Sequence, residues 1–200
     1  MVIAGVVSLI AVAVTVASLA WLHVQPTGLS WLRNPVSEYG ITPFRSGYRV
    51  ATIAFGVAGL ALAIGIDRAI AGHGTVGVVA LLVVFAAARG AISWFPMDAP
   101  DAPRTSTGVI HVLLASLAFL SIAGAAIWLG AILPNVTRWH SLHLASTVLG
   151  YAMTACLVMF GWSRGIPALR ARSGAIERGF YVFAIAWTAL FAFACAANIH

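Results

Sequence analysis

Six apolar runs, each close to the length that crosses a lipid bilayer, limit what this chain can fold into more than any other feature. They cover roughly residues 2–22, 47–66, 74–95, 107–131, 143–163 and 177–199. A spanning helix needs about 20 mainly apolar residues at a rise of about 1.5 Å each. The runs are too long for buried strands and too uniformly apolar for surface helices. Strands of a membrane barrel alternate polar and apolar residues, and these runs do not. Lipid offers no partner to backbone polar groups, so each run is expected to satisfy its own as a helix. Composition agrees: 62% of the 200 residues are hydrophobic and 8% charged, where a soluble domain carries roughly a quarter charged residues. The expected fold is all-α, a polytopic membrane helix bundle of about six transmembrane helices in a single domain over residues 1–200.

The first run has no Lys or Arg before it and outlasts a signal core, so it is expected to stay as a helix. The basic residues, 11 Lys plus Arg giving a formal charge of +6, are all Arg. They are spread thinly between apolar runs, which fits membrane topology and excludes nucleic acid as a partner. Lys-free, Ala- and Arg-rich usage points to a bacterial source. Loops 23–46, 96–106 and 164–176 fall on one side and carry Arg33, Arg45, Arg104, Arg164, Arg170 and Arg172. The other side carries only Arg68 and Arg138. The positive-inside rule puts the first side in the cytoplasm and both termini outside, in a multi-pass protein of the cell membrane. Cys156 and Cys195 lie inside apolar runs without metal-ligand spacing and read as buried thiols.

Polar residues gather at the Arg-rich side. The long segment from His23 to Ser46 holds Pro26, Pro35 and Pro43 with Trp31, Tyr39 and Phe44, and is expected to fold back over the bundle mouth. Within it, Asn34-Pro35 starts a turn that Ser37 can cap. The functional alternative makes Ser37 a ligand-binding or nucleophilic hydroxyl and Glu38 a charge partner. The segment from Phe95 through Pro96, Asp98, Pro100, Asp101, Pro103 and Arg104 is extended, Thr105 or Ser106 can cap the next helix, and His111 follows one turn inside it. An Asp–Arg pair in a capped loop is the plain reading. A buried Asp98 near His111, binding metal or moving protons, is the functional one. Arg89 lies six residues inside the third run and either snorkels outward or turns in towards Glu38, Asp98 or an anionic ligand. His23, Ser37, Glu38, Arg89, Asp98, Asp101, Arg104 and His111 can thus converge on one membrane boundary. His140 and His143 lie on the other side, at a spacing that also suits a metal.

Three stretches together resemble a family of bacterial six-helix membrane proteins catalogued as domain of unknown function 998. They are His23 to Gly28, Asn34 to Gly40, and Phe95 to Asp98 with Pro103-Arg104-Thr105 and Gly108 to His111. The resemblance spans nearly the whole chain, implies a six-helix fold and brings no activity. A looser similarity is to the alkaline ceramidases and adiponectin-type receptors, which use Ser, Asp and three His around zinc to cleave lipid amides. It would give Ser37, Asp98 and His111 the first three parts. The paired His of that pattern is absent, because His140 and His143 have a shorter gap and fall on the wrong side.

Three functions follow as expectations. One is a lipid-directed, metal-dependent hydrolase or transferase. In it Ser37, Asp98 and His111 are catalytic, Arg89, Arg104 and Glu38 bind substrate, and His23, Asp98 and His111 hold a transition metal such as zinc. The second is a non-catalytic module binding a membrane lipid or a membrane-protein partner. The third, a transporter or proton-coupled subunit, wants acids near the bilayer midplane, and the runs place none there.

Overall fold

The computed structural model describes residues 1–163 and 165–199, so Arg164 and His200 lie outside the described residues. Six long helices form: α1 (Val2–His23), α2 (Arg45–Ala69), α3 (Val76–Ile92), α4 (Ser106–Ile132), α5 (His143–Trp162) and α6 (Ser173–Ala196). Each overlaps one of the apolar runs. Five are long and apolar enough to cross a membrane. The third is shorter than its run, 17 residues against the expected 74–95, or about 25 Å at helical rise. It starts only at Val76, after Gly72 and Gly74 in left-handed backbone, and ends at Ile92 before the turn at Ser93. The last helix starts four residues earlier than its run, at Ser173, which brings Glu177 and Arg178 inside it.

The helices form a ring in chain order. Each packs on the next, and α6 closes on α1. Helices α2 and α6 also meet across the middle. Small residues set the close approaches. Gly5 lies against the backbone of α6 at Ala192 and Ala196, where a Cβ would collide, and Gly59 lies under the Phe85 ring. Such approaches replace the hydrophobic driving force that lipid removes between helices. Polar side chains add links: the Ser8 hydroxyl donates to the Ala58 carbonyl at 2.9 Å. At the end away from the long loop, Ser146 donates to the Ala126 carbonyl and accepts from the Trp187 indole, each at 2.8 Å, joining α4, α5 and α6.

The described parts of the three loops assigned to one side meet at one end of the bundle: Gly174 lies against Trp31 and Asn34, and Pro35 and Met97 border one cavity. The segment after α1 folds back over that end as expected, through a 3₁₀ turn at Val36–Ile41 packed on α2 and α6. Ser37 does not cap this turn. Pro35 occupies the cap position, and no side chain bonds there.

Candidate functional site

Below this strap the bundle encloses a cavity of about 330 Å³. Arg89, in the last turn of α3, lines it and is 1% exposed. The side chain does not snorkel. Its guanidinium carbon sits 5.3 Å from the Tyr181 ring centroid and 5.9 Å from that of Phe55. Against the cost of that burial work the phenol of Tyr181, which is also a hydrogen-bond partner, the phenol of Tyr48, and Glu177. Its Nε has no hydrogen-bond partner among the described residues. Buried polar groups are almost always paired, and here one is not, in a side chain that borders the cavity.

His111 reaches the same cavity from the sixth position of α4. Its Nδ1 lies 2.7 Å from the Phe95 carbonyl. A carbonyl only accepts, so Nδ1 carries the proton and neutral His111 keeps its Nε2 lone pair for the cavity. Ser37 borders the space from the strap. The rest of the wall is apolar, with Phe119 and Leu120 from α4 and Leu157 and Phe160 from α5. The polar groups suit an oxyanion, since a guanidinium matches carboxylate or phosphate geometry. The apolar residues suit a hydrocarbon.

The strap that roofs the cavity is fastened to the start of α6. Arg178 donates from Nε to His23 Nε2 at 2.7 Å, and from one terminal nitrogen to the carbonyls of Trp31 and Asn34 at 2.9 and 2.8 Å. The Val36 amide donates to the Glu177 carboxylate, and the Ala175 amide to the Leu32 carbonyl at 3.0 Å. Gly174 lets the strap backbone at Trp31 and Asn34 lie directly on the helix, where a Cβ would collide. Within the strap, Asn34 Nδ2 donates to Glu38 at 2.7 Å. Burial pushes the Glu38 carboxyl above its ordinary range, against the opposing pull of that bond and of the Arg178 charge.

Asp98 has a different task. It accepts from the Thr105 hydroxyl at 2.6 Å and the Thr105 amide at 3.2 Å, while Thr105 accepts from the Gly108 amide at 3.0 Å and caps α4. The bonds from Thr105 hold the Asp98 carboxyl below its usual range. Asp98 and Arg104 border a separate recess of about 150 Å³.

The eight residues expected to converge thus divide. Ser37, Arg89 and His111 border the cavity. His23 and Glu38 belong to the strap, Asp98 and Arg104 flank the α4 cap, and Asp101 holds a left-handed turn beside it. The proposed metal set of His23, Asp98 and His111 is not assembled. His23 faces Arg178, Asp98 faces Thr105, and no group of three or more His, Cys, Asp or Glu among the described residues is placed to hold an ion. The rings of His140 and His143 do lie 5.4 Å apart, at the far end. Glu38 and Arg104, expected to bind substrate, do not border the cavity.

Sequence reasoning missed Tyr48, Tyr181 and Glu177, which complete the polar wall. The signal was there. Glu177, Tyr181, Ala184, Thr188, Phe191 and Cys195 recur every three or four residues and form the buried stripe of α6. Starting the run at Glu177 hid it, because a first residue reads as interfacial.

No curated protein and no solved structure matches the chain. The model of a family described as a protein of unknown function (DUF998) matches residues 9–194, and the chain belongs to that family.

Proposed function

We propose that this protein is a membrane-embedded binding protein for a small oxyanion-bearing molecule, whose anionic group is held by Arg89. The observation that carries the reading is the buried guanidinium with an unpartnered Nε on the wall of a cavity of ligand size. The Tyr48 and Tyr181 hydroxyls and the His111 Nε2 supply further polar contacts around the same anion. The apolar wall excludes water and so strengthens the charge contact.

The test is saturation binding of laurate and of dodecyl phosphate to the full chain and to Arg89→Gln. A hydrogen bond to a charged group contributes about 1.5–3 kcal/mol, so the substitution is expected to weaken both ligands about tenfold or more. Equal affinity for wild type and Arg89→Gln would sink the reading.

A second reading has one observation in its favour. The tautomer fixed by Phe95 leaves His111 Nε2 free to accept a proton, as a general base in an acyl or phosphoryl transfer would. Release of laurate from a dodecanoyl ester or amide, lost in a His111 variant that still binds laurate, would establish it. No release by folded wild-type protein would leave binding alone.

A further inference from the structure

Resting on that reading, we infer that the occupant is a membrane lipid with an oxyanionic head, and that its acyl chain leaves the cavity sideways, between α4 and α5, into the bilayer. Close backbone approaches join α4 and α5 at the end away from the strap. There Gly130 lies against Thr147 and Gly150 against Ile127, both close enough that a Cβ would collide, and Ser146 bonds the Ala126 carbonyl. The last residue of α5 buried among its neighbours is Met153, and from Thr154 to Trp162 none is. Towards the strap end α5 keeps only partial burial, with Cys156 and Leu157 against the core and Leu157 and Phe160 on the cavity.

Val112 and Leu120 of α4 border the cavity and are 44% and 63% exposed. Gly161 of α5 also borders the cavity, is exposed, and has open space where a Cβ would stand. On the axial side the strap closes the route to water, with Pro35 and Ser37 over the cavity and the segment behind them bonded to Glu177 and Arg178. The open side of the cavity thus faces lipid. A cavity of about 330 Å³ holds a head and the start of a chain, at the small end of ligand pockets of roughly 300–1,000 Å³. The remainder of an acyl chain then lies where lipid chains already are, without desolvation of polar groups. Charge complementarity selects the head: Arg89 is the cation on the cavity wall, and the Glu177 carboxylate beside it is engaged by the Val36 amide, on a path that an amphiphile takes with its chain still in hydrocarbon.

The experiment uses the full chain in nanodiscs of uncharged phosphatidylcholine, with radiolabelled laurate as probe. The competitors are acetate, inorganic phosphate and dodecanol. Gly161→Trp fills the gap at a position open enough to accept it, and Val148→Trp on the outward face of α5 is the control. Laurate is expected to bind saturably, at least tenfold more weakly to Gly161→Trp and unchanged to Val148→Trp. Acetate and phosphate are expected to displace it poorly even at a hundredfold higher concentration, and dodecanol poorly for want of charge. Wild-type affinity in a folded Gly161→Trp, with binding still lost in Arg89→Gln, would overturn the lateral path and leave the oxyanion site standing. Displacement by acetate or phosphate as effective as by laurate itself would assign the site to a water-borne anion and overturn the lipid. Absence of any Arg89-dependent binding would remove both this inference and the reading beneath it.

Discussion

Arg89 and His111 show how one polar residue in an apolar run acquires a role from what surrounds it. The guanidinium of Arg89 lies inside the bundle against the rings of Phe55 and Tyr181 and beside the Tyr48 phenol, while its Nε stays unpaired. His111 spends one ring nitrogen on the Phe95 carbonyl, which anchors the segment after α3 to α4. The two roles of that ring can be separated. Asn at position 111 retains a donor near the Nδ1 position, and Leu does not. Leaving this part-buried carbonyl unpaired costs at most about 1–3 kcal/mol, and a chain of this size shifts by about 2–4 °C per kcal/mol. His111→Leu is therefore expected to melt several degrees below His111→Asn in a thermal scan in detergent; equal melting would deny the anchor. Both polar residues were legible in the sequence, because a charge or an imidazole in an apolar run must be paired, solvated or functional. Their partners were not. A tyrosine within a spanning run reads as packing, and only the helix register places Tyr48 and Tyr181 beside a cation.

At the scale of elements, two carboxylates outside the spans order the cavity end, Asp98 at the α4 cap and Glu38 within the strap, with opposite dependence on pH. Asp98 is held below its ordinary value by Thr105. A carboxyl depressed in the fold adds stability that is present above its unfolded value, near 3.8, and lost as pH falls through the folded one. Glu38 is raised by burial. The fold therefore favours its protonated form, and its contribution is fully present below the unfolded value, near 4.5, and lost as pH rises through the folded one. Melting temperature measured against pH is accordingly expected to fall less steeply below about pH 4 in Asp98→Asn than in wild type. Glu38→Gln should remove a loss of stability on the neutral side of pH 4.5. Profiles parallel to wild type in both variants would contradict these assignments. The cap at Thr105 was readable from its spacing to the apolar run. The fastening of the strap was not, since the contact between Arg178 and His23 spans 155 residues and no local pattern encodes it.

The whole molecule is a ring of six helices, tightly fastened at one end and holding a cavity under a strap at the other. Length and apolarity of the runs announced the bundle, because lipid leaves the backbone no alternative to helices. The ring closure and the position of the cavity were hidden, since they depend on which glycines face which neighbours. The account's central claim is that the fold carries Arg89 for a ligand and at a cost to its own stability. A guanidinium buried with its Nε unpartnered carries a desolvation cost that Tyr181, Tyr48 and Glu177 offset only in part, and functional sites commonly give up stability for their role. The most direct measurement is the melting temperature of wild type and Arg89→Met, each with and without saturating laurate. The account predicts that Arg89→Met melts at least as high as ligand-free wild type, by about 2 °C or more if the full cost is relieved, and that laurate raises only the wild type. An Arg89→Met protein that melts well below wild type, with laurate raising both alike, would make Arg89 a structural residue and contradict the claim.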